Sequence, residues 1–174
     1  MSLIKILSRG LGTGVGGKVL QVVQTVKTDT FTQSSSNTWS DITGLSVSIT
    51  PSSTSNKILI IGKCSYSADS GYYPMIKLLR DSTDIFIGDA AGSRVRVTSG
   101  SYSHSTDAAG SYYGMRDFSY NYLDSPSTTS STTYKIQLRS GDGTSSYINR
   151  TAQNDDNQFR SRGASSIIVM EISA

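Results

Sequence analysis

From Lys18 onward, apolar and polar residues alternate in short runs with a period of two, where a helix would show 3.6. Leu45, Val47 and Ile49 are separated by Ser46, Ser48 and Thr50, the pattern of a strand with one face buried and one wet. Phe118, Tyr120 and Tyr122 alternate with Ser119 and Asn121, and Tyr134, Ile136 and Leu138 with Lys135, Gln137 and Arg139. These two runs are the clearest candidates for an antiparallel pair. Lys57 to Tyr66 is more continuously apolar, through Ile58, Leu59, Ile60 and Ile61, and predicts a central strand buried on both faces. Runs at Lys18–Val26, Met75–Arg80, Ile85–Gly88, Arg94–Thr98, Tyr147–Arg150 and Ser166–Ile172 bring the total to about ten. Thr50-Pro51 and Ser125-Pro126 each open a Ser/Thr-rich connection into a core strand, as loops at equivalent points of two β halves would. The series predicts an all-β fold, an antiparallel two-sheet β-sandwich that is jelly-roll-like.

Composition sharpens that expectation. The 33 Ser and 18 Thr in 174 residues disfavour helix, because their hydroxyls compete for backbone groups and Thr is β-branched. Twelve Asp against the single Glu171 point the same way, since Asp prefers turns and caps. Cys64 is the only cysteine, which excludes an internal disulfide and predicts a buried thiol within an apolar strand. The net charge of +3 is spread along the chain without a run of like charges, so no nucleic-acid arm is expected. No stretch approaches the roughly 18 apolar residues of a membrane helix, so no membrane span is expected. The opening residues lack the apolar core of a cleaved signal peptide, and export by that route is not expected either.

Residues 1–17 stand apart. Leu3, Ile4, Ile6, Leu7 and Arg9 form a short apolar-basic stretch, followed by five glycines in the eight residues from Gly10 to Gly17. So few side chains cannot hold such a segment in place. It reads as an anchoring peptide held by something outside the domain of residues 18–174.

Catalytic chemistry finds little to work with. Gly12 to Lys18 matches the start of a phosphate-binding loop, but Val19 stands where Ser or Thr would hold magnesium. A β-branched run then follows where a helix should face the phosphates. His104 is the only histidine, in a Gly/Ser-rich loop, and a Cys64–His104 pair would have to draw its thiolate from a strand interior. Asp155 and Asp156 are neighbours that point apart if extended, and with Asn154 and Asn157 they read as a hydrated turn. No enzyme, cofactor or metal site is expected. Of ten tyrosines, Tyr66, Tyr120, Tyr122, Tyr134 and Tyr147 read as strand residues. Tyr72, Tyr73, Tyr102, Tyr112 and Tyr113 lie in Gly/Ser-rich surroundings and are the candidate ligand-binding residues, because tyrosine offers a large contact area at small entropic cost.

Several stretches carry a family resemblance: Lys18-Val-Leu-Gln-Val-Val, Ile42-Thr-Gly-Leu-Ser-Val-Ser-Ile-Thr-Pro, Leu78-Leu-Arg-Asp with Ile87-Gly-Asp, Tyr122-Leu-Asp-Ser-Pro, Tyr147-Ile-Asn-Arg and Ile167 to Ile172. On these, residues Gly17 to Ala174 resemble virion structural proteins of tailed bacteriophages, including tail-fibre-like and particle-surface proteins of marine phages. The resemblance implies a non-enzymatic protein on the surface of the phage particle, a short homotrimeric fibre or knob. It also implies that Leu3, Ile4, Ile6, Leu7 and Arg9 attach it to other virion proteins of capsid or tail, and that a host surface glycan is its ligand. The chain lacks an extended shaft, so a short knob suits it better than a full fibre. A capsid decoration or cement protein is the alternative, then a free carbohydrate-binding lectin, with a depolymerase last.

Overall fold

The computed structural model describes residues 17–69, 73–101, 114–141 and 145–174. They form β1 (Val19–Lys27), β2 (Phe31–Gln33), β3 (Trp39–Ile49), β4 (Lys57–Ala68), β5 (Met75–Arg80), β6 (Thr83–Ile85), β7 (Ser99–Gly100), β8 (Arg116–Asp124), β9 (Thr132–Arg139), β10 (Ser146–Ile148) and β11 (Ser165–Ile172). No helix occurs among the described residues. The first sheet runs β1-β11-β4-β8, with β10 continuing along β4 and β2 beside β10. The second runs β3-β9-β5-β6, with the short β7 against β5. The strands of both sheets pair antiparallel throughout. Taking β1, β3, β4, β5, β6, β8, β9 and β11 in order, the chain changes sheet at every step except β5 to β6, and the two orders are those of a jelly-roll sandwich.

The expected alternation decides which side chains meet between the sheets. Leu45, Val47 and Ile49 on β3 and Tyr134, Ile136 and Leu138 on β9 face Ile58 and Ile60 on β4 and Ile167 and Val169 on β11, all buried in one core. The five tyrosines read as strand residues lie in β4, β8, β9 and β10.

Four details depart from the sequence reading. β8 and β9 are not partners: β8 pairs β4, and β9 lies in the other sheet between β3 and β5. Alternation specifies which face is buried but not which strand is the neighbour. Here the Ser125–Ser131 connection, with Ser127 at φ 53°, carries the chain across the sandwich. The strand expected over Ile85–Gly88 ends at Ile85, because Phe86 takes φ 52° and turns the chain so that its ring stacks on Tyr122 at 5.2 Å between centroids. Arg94–Thr98 forms no ladder; it is tied by single bonds, Gly88 N–H to Val97 O and Thr98 N–H to Ile76 O. Finally, β4 is buried on both faces only from Cys64 to Ala68, while Lys57, Ile61 and Lys63 are exposed. The outer side of its far half is covered because Ser65 and Ser67 donate to the carbonyls of Ala164 and Arg150.

Polar groups tie the sheets together where the core ends. Asp124 at the end of β8 accepts from Arg80 of β5, at 2.9 and 3.0 Å, and from the Tyr134 hydroxyl of β9, at 2.7 Å. Asn149, buried and at φ 59°, donates to the carbonyls of Lys27 and Asp29 and accepts from the Ser165 hydroxyl. Its amide is fully employed, so the Asn149-Arg-Thr151 sequence is a structural brace.

Candidate functional site

Tyr73 is the one candidate ligand-binding tyrosine among the described residues; Tyr72, Tyr102, Tyr112 and Tyr113 lie outside them, as do His104, Leu3, Ile4, Ile6, Leu7 and Arg9. The Tyr73 ring is 47 % exposed and borders a hollow of about 440 Å³. Met75 at the start of β5, Val95 and Val97 from the Arg94–Thr98 segment, Gly100 and Ser101 complete the lining, with Arg94 at its side. Backbone bonds hold these pieces together: Ser101 N–H donates to Pro74 O, and Gly141 N–H donates to Tyr73 O at 3.1 Å. A methyl group on Gly141 would press against Tyr73, at 3.1 Å from its Cβ and 3.2 Å from the ring, so Gly141 is what lets this side chain lie close to the β9 end. The hollow is apolar, carries an aromatic edge and has a guanidinium beside it. A small ligand with a flat apolar face and an acidic or polar rim suits such a lining.

A second hollow, of about 260 Å³, is lined by Thr151, Asn154 to Asn157, Arg160, Ser161 and Arg162. Arg160 donates to Asp155 at 2.9 Å and to Gln153 at 2.6 Å. The Arg160 bond and the backbone hold the Asp155 carboxyl below its usual range. Asp155 is thus committed to the loop's own geometry. Among the described residues no three His, Cys, Asp or Glu side chains come together as a metal site. Cys64 is buried, and desolvation pushes its thiol up to about 12 against a weak opposing bond from Ser165, so it stays protonated at neutral pH. Lys18 is exposed and runs directly into β1, where a phosphate-binding loop would need a helix.

The third feature was not anticipated. On the outer face of the first sheet, the register aligns Val22 of β1, Met170 of β11, Leu59 of β4 and Leu123 of β8 in one row across all four strands. Ile168 and Ile61 lie side by side in the next row, and Leu20 and Ile172 lie on the other side of the first. Val22, Leu123 and Leu20 are 55, 54 and 48 % exposed. The outer face of the second sheet is what a solvated sheet looks like: Lys135 and Gln137 bond Asp41, Ser48 bonds Thr133, and Lys77 pairs with Asp84.

No protein-family model and no curated protein matches the chain. Among solved structures, it is similar to a chain in the structure of infectious bursal disease virus Gt strain, at 12 % identity and TM-score 0.43, over 88 % of this chain and 38 % of that one. The same holds for infectious bursal disease virus Gx strain, at 12 % identity and TM-score 0.42, over 87 % and 40 %. The chain thus spans about two-fifths of the length of those viral chains.

Sequence reasoning singled out Tyr73 but not Met75, Arg94, Val95 or Val97. Nothing in their local pattern joins segments so far apart in the chain. The pairing of β7 with β5, together with the Thr98 N–H bond to Ile76 O, brings them together.

Proposed function

We propose that this chain is a non-enzymatic structural module on the surface of a bacteriophage particle, and that the hollow beside Tyr73 receives a host surface glycan. The observation that carries the reading is a hollow lined by the exposed Tyr73, by the apolar Met75, Val95 and Val97, and by Arg94. Aromatic rings stack on the C–H face of a pyranose, and a guanidinium pairs with a carboxylate or sulfate in a fork. Acidic sugars are therefore the preferred class. The rigid sandwich behind the hollow supplies the scaffold on which such loop-borne sites are built. The resemblance to phage virion proteins supports the location and the homotrimeric state.

A glycan array probed with the full chain tests the ligand. Uronate- or sulfate-bearing glycans are expected to bind, with Tyr73→Ala and Arg94→Ala each weakening binding about tenfold or more, the loss of one good contact. Absence of any bound glycan at millimolar concentration, or binding indifferent to Tyr73→Ala, would overturn the assignment. Light scattering is expected to give three times the 18.6 kDa chain mass. A monomer at micromolar concentration would remove the trimer from the reading.

A further inference from the structure

Met75, which lines the hollow, belongs to a row that crosses four strands of the second sheet. The register sets Trp39 of β3 opposite Arg139 of β9, Arg139 opposite Met75 of β5, and Met75 opposite Gly100 of β7. Opposed residues of antiparallel strands share a face. Ile76 and Leu138, the chain neighbours of Met75 and Arg139, are in the core, so the row faces outward. Four strands spaced by about 4.8 Å give the row a length of about 14 Å. Gly100 and Met75 place the hollow at one end, and the chain's single tryptophan stands at the other.

The domain itself leaves the cations of this strip unmatched. Six ion pairs join cations to carboxylates among the described residues, and neither Arg94 of the hollow nor Arg139 takes part in one. Arg139 is half-buried and held by neutral groups: Nη2 donates to Asn37 Oδ1 at 2.6 Å and Nη1 to Met75 Sδ at 3.9 Å, while its Nε is buried and has no partner among the described residues. Asp41, two residues along β3 from Trp39, is taken up by Lys135 and Gln137. A partly desolvated guanidinium without a counter-charge keeps its field for an anion that comes from outside. Trp39 is half-buried as well, and the Lys77 ammonium lies 4.6 Å from its ring centroid, a contact that holds the ring in place.

Tyr73 with Arg94 and Trp39 with Arg139 thus repeat one pair of chemistries, an aromatic ring for the C–H face of a sugar and a guanidinium for its acid group. A pyranose advances its polymer by about one strand spacing, so successive sugars of one chain match successive strands of the row. We propose that the hollow is the first of two subsites and that Trp39 with Arg139 is the second, so that the ligand is a segment of an acidic polysaccharide laid across β7, β5, β9 and β3 rather than a single sugar. The inference rests on the glycan reading of the hollow and extends it. Single-stranded nucleic acid, the other anionic chain, suits the row less well, because its bases stack on aromatic side chains in succession and the positions between Trp39 and Gly100 are Arg139 and Met75.

Titration of the full chain with galacturonic acid and with its linear hexamer tests the second subsite. Trp39 is the only tryptophan, so indole emission reports that end of the row alone. The hexamer is expected to bind at least about tenfold more tightly than the monomer, because its second contact is made within an already bound chain. It should also change the indole emission, which the monomer, seated in the hollow, leaves as it was. Arg139→Gln is expected to bring the hexamer to within about twofold of the monomer while monomer affinity stays the same, which also shows that the variant is folded. Tyr73→Ala should weaken both. Equal affinities for monomer and hexamer, both reduced by Tyr73→Ala, would overturn the second subsite and leave the hollow reading standing. No binding of either would overturn the proposal together with the uronate half of that reading. A single-stranded oligonucleotide that changes the indole emission at lower concentration than the hexamer would also sink it.

Discussion

Replacing Gly62 by alanine is expected to lower the melting temperature by several degrees, although it adds only one methyl group. Gly62 is buried on the inner face of β4, directly opposite Tyr120 of β8. The Tyr120 ring lies across the glycine, and its hydroxyl points at Ser166 O of β11 at 3.5 Å. A methyl group at position 62 would overlap both the ring and that carbonyl, and the carbonyl is backbone of a central strand that cannot step aside. Overpacking of this kind costs about 1–3 kcal/mol. In a chain of this size each kcal/mol moves the melting point by about 2–4 °C. The ring's share of that cost should disappear in a Tyr120→Ala background, while the overlap with the Ser166 carbonyl persists. Thermal unfolding of the two single variants and the double variant measures the coupling. Additive losses would show that the glycine serves some purpose other than making room for Tyr120.

Glu171→Gln is expected to destabilise the fold by about 3 kcal/mol at neutral pH, the scale of losing hydrogen bonds to a buried charge. Glu171 is 1 % exposed, and neutral donors hold it. Asn56 Nδ2 donates at 2.6 Å, Gln21 Nε2 at 2.6 Å, Ser52 N–H at 2.7 Å and the Ser52 hydroxyl at 2.8 Å. Burial by itself raises the carboxyl, but the bonds from Asn56, Gln21 and Ser52 outweigh it and hold the group at about 2. Glutamine would turn an amide toward donors that need an acceptor. Because the folded value lies below that of the unfolded chain, the carboxylate's contribution is complete above about pH 4.5. It is lost as the pH falls toward about 2. The gap in melting temperature between the native chain and Glu171→Gln should therefore be widest near neutrality and shrink across that window. The other carboxylates are common to both proteins and cancel. Parallel melting curves from pH 7 to pH 2 would rule out this role for the carboxylate.

Much of this fold can be read in the residues alone. Alternation at Leu45–Ile49, Phe118–Tyr122 and Tyr134–Leu138 located strands and their buried faces, and the Ser/Thr excess disfavoured helix, of which none occurs among the described residues. The Thr50-Pro51 and Ser125-Pro126 connections do lead into β4 and β9, and each carries the chain from one sheet to the other. The buried environment of Cys64 also followed from its apolar run. These features are local, set by steric preference and by a period of two, so a short window contains them.

What the tertiary structure alone decided is which strands are neighbours. β8 and β9 carry matching patterns, yet they belong to different sheets, because the path of a loop through space leaves no trace in alternation. The two surfaces of functional interest depend on that same choice. Val22, Leu59, Leu123 and Met170 are spread over nearly the whole chain, and each alone is an unremarkable exposed apolar residue. Only when β1, β11, β4 and β8 pair in register do they form one row. Likewise, Tyr73 acquires its apolar surroundings when β7 joins β5 and Thr98 N–H bonds Ile76 O, which draws Val95 and Val97 alongside. Hydrophobicity at a single position is a property of the sequence; contiguity across strands is a property of the register, which long-range pairing sets.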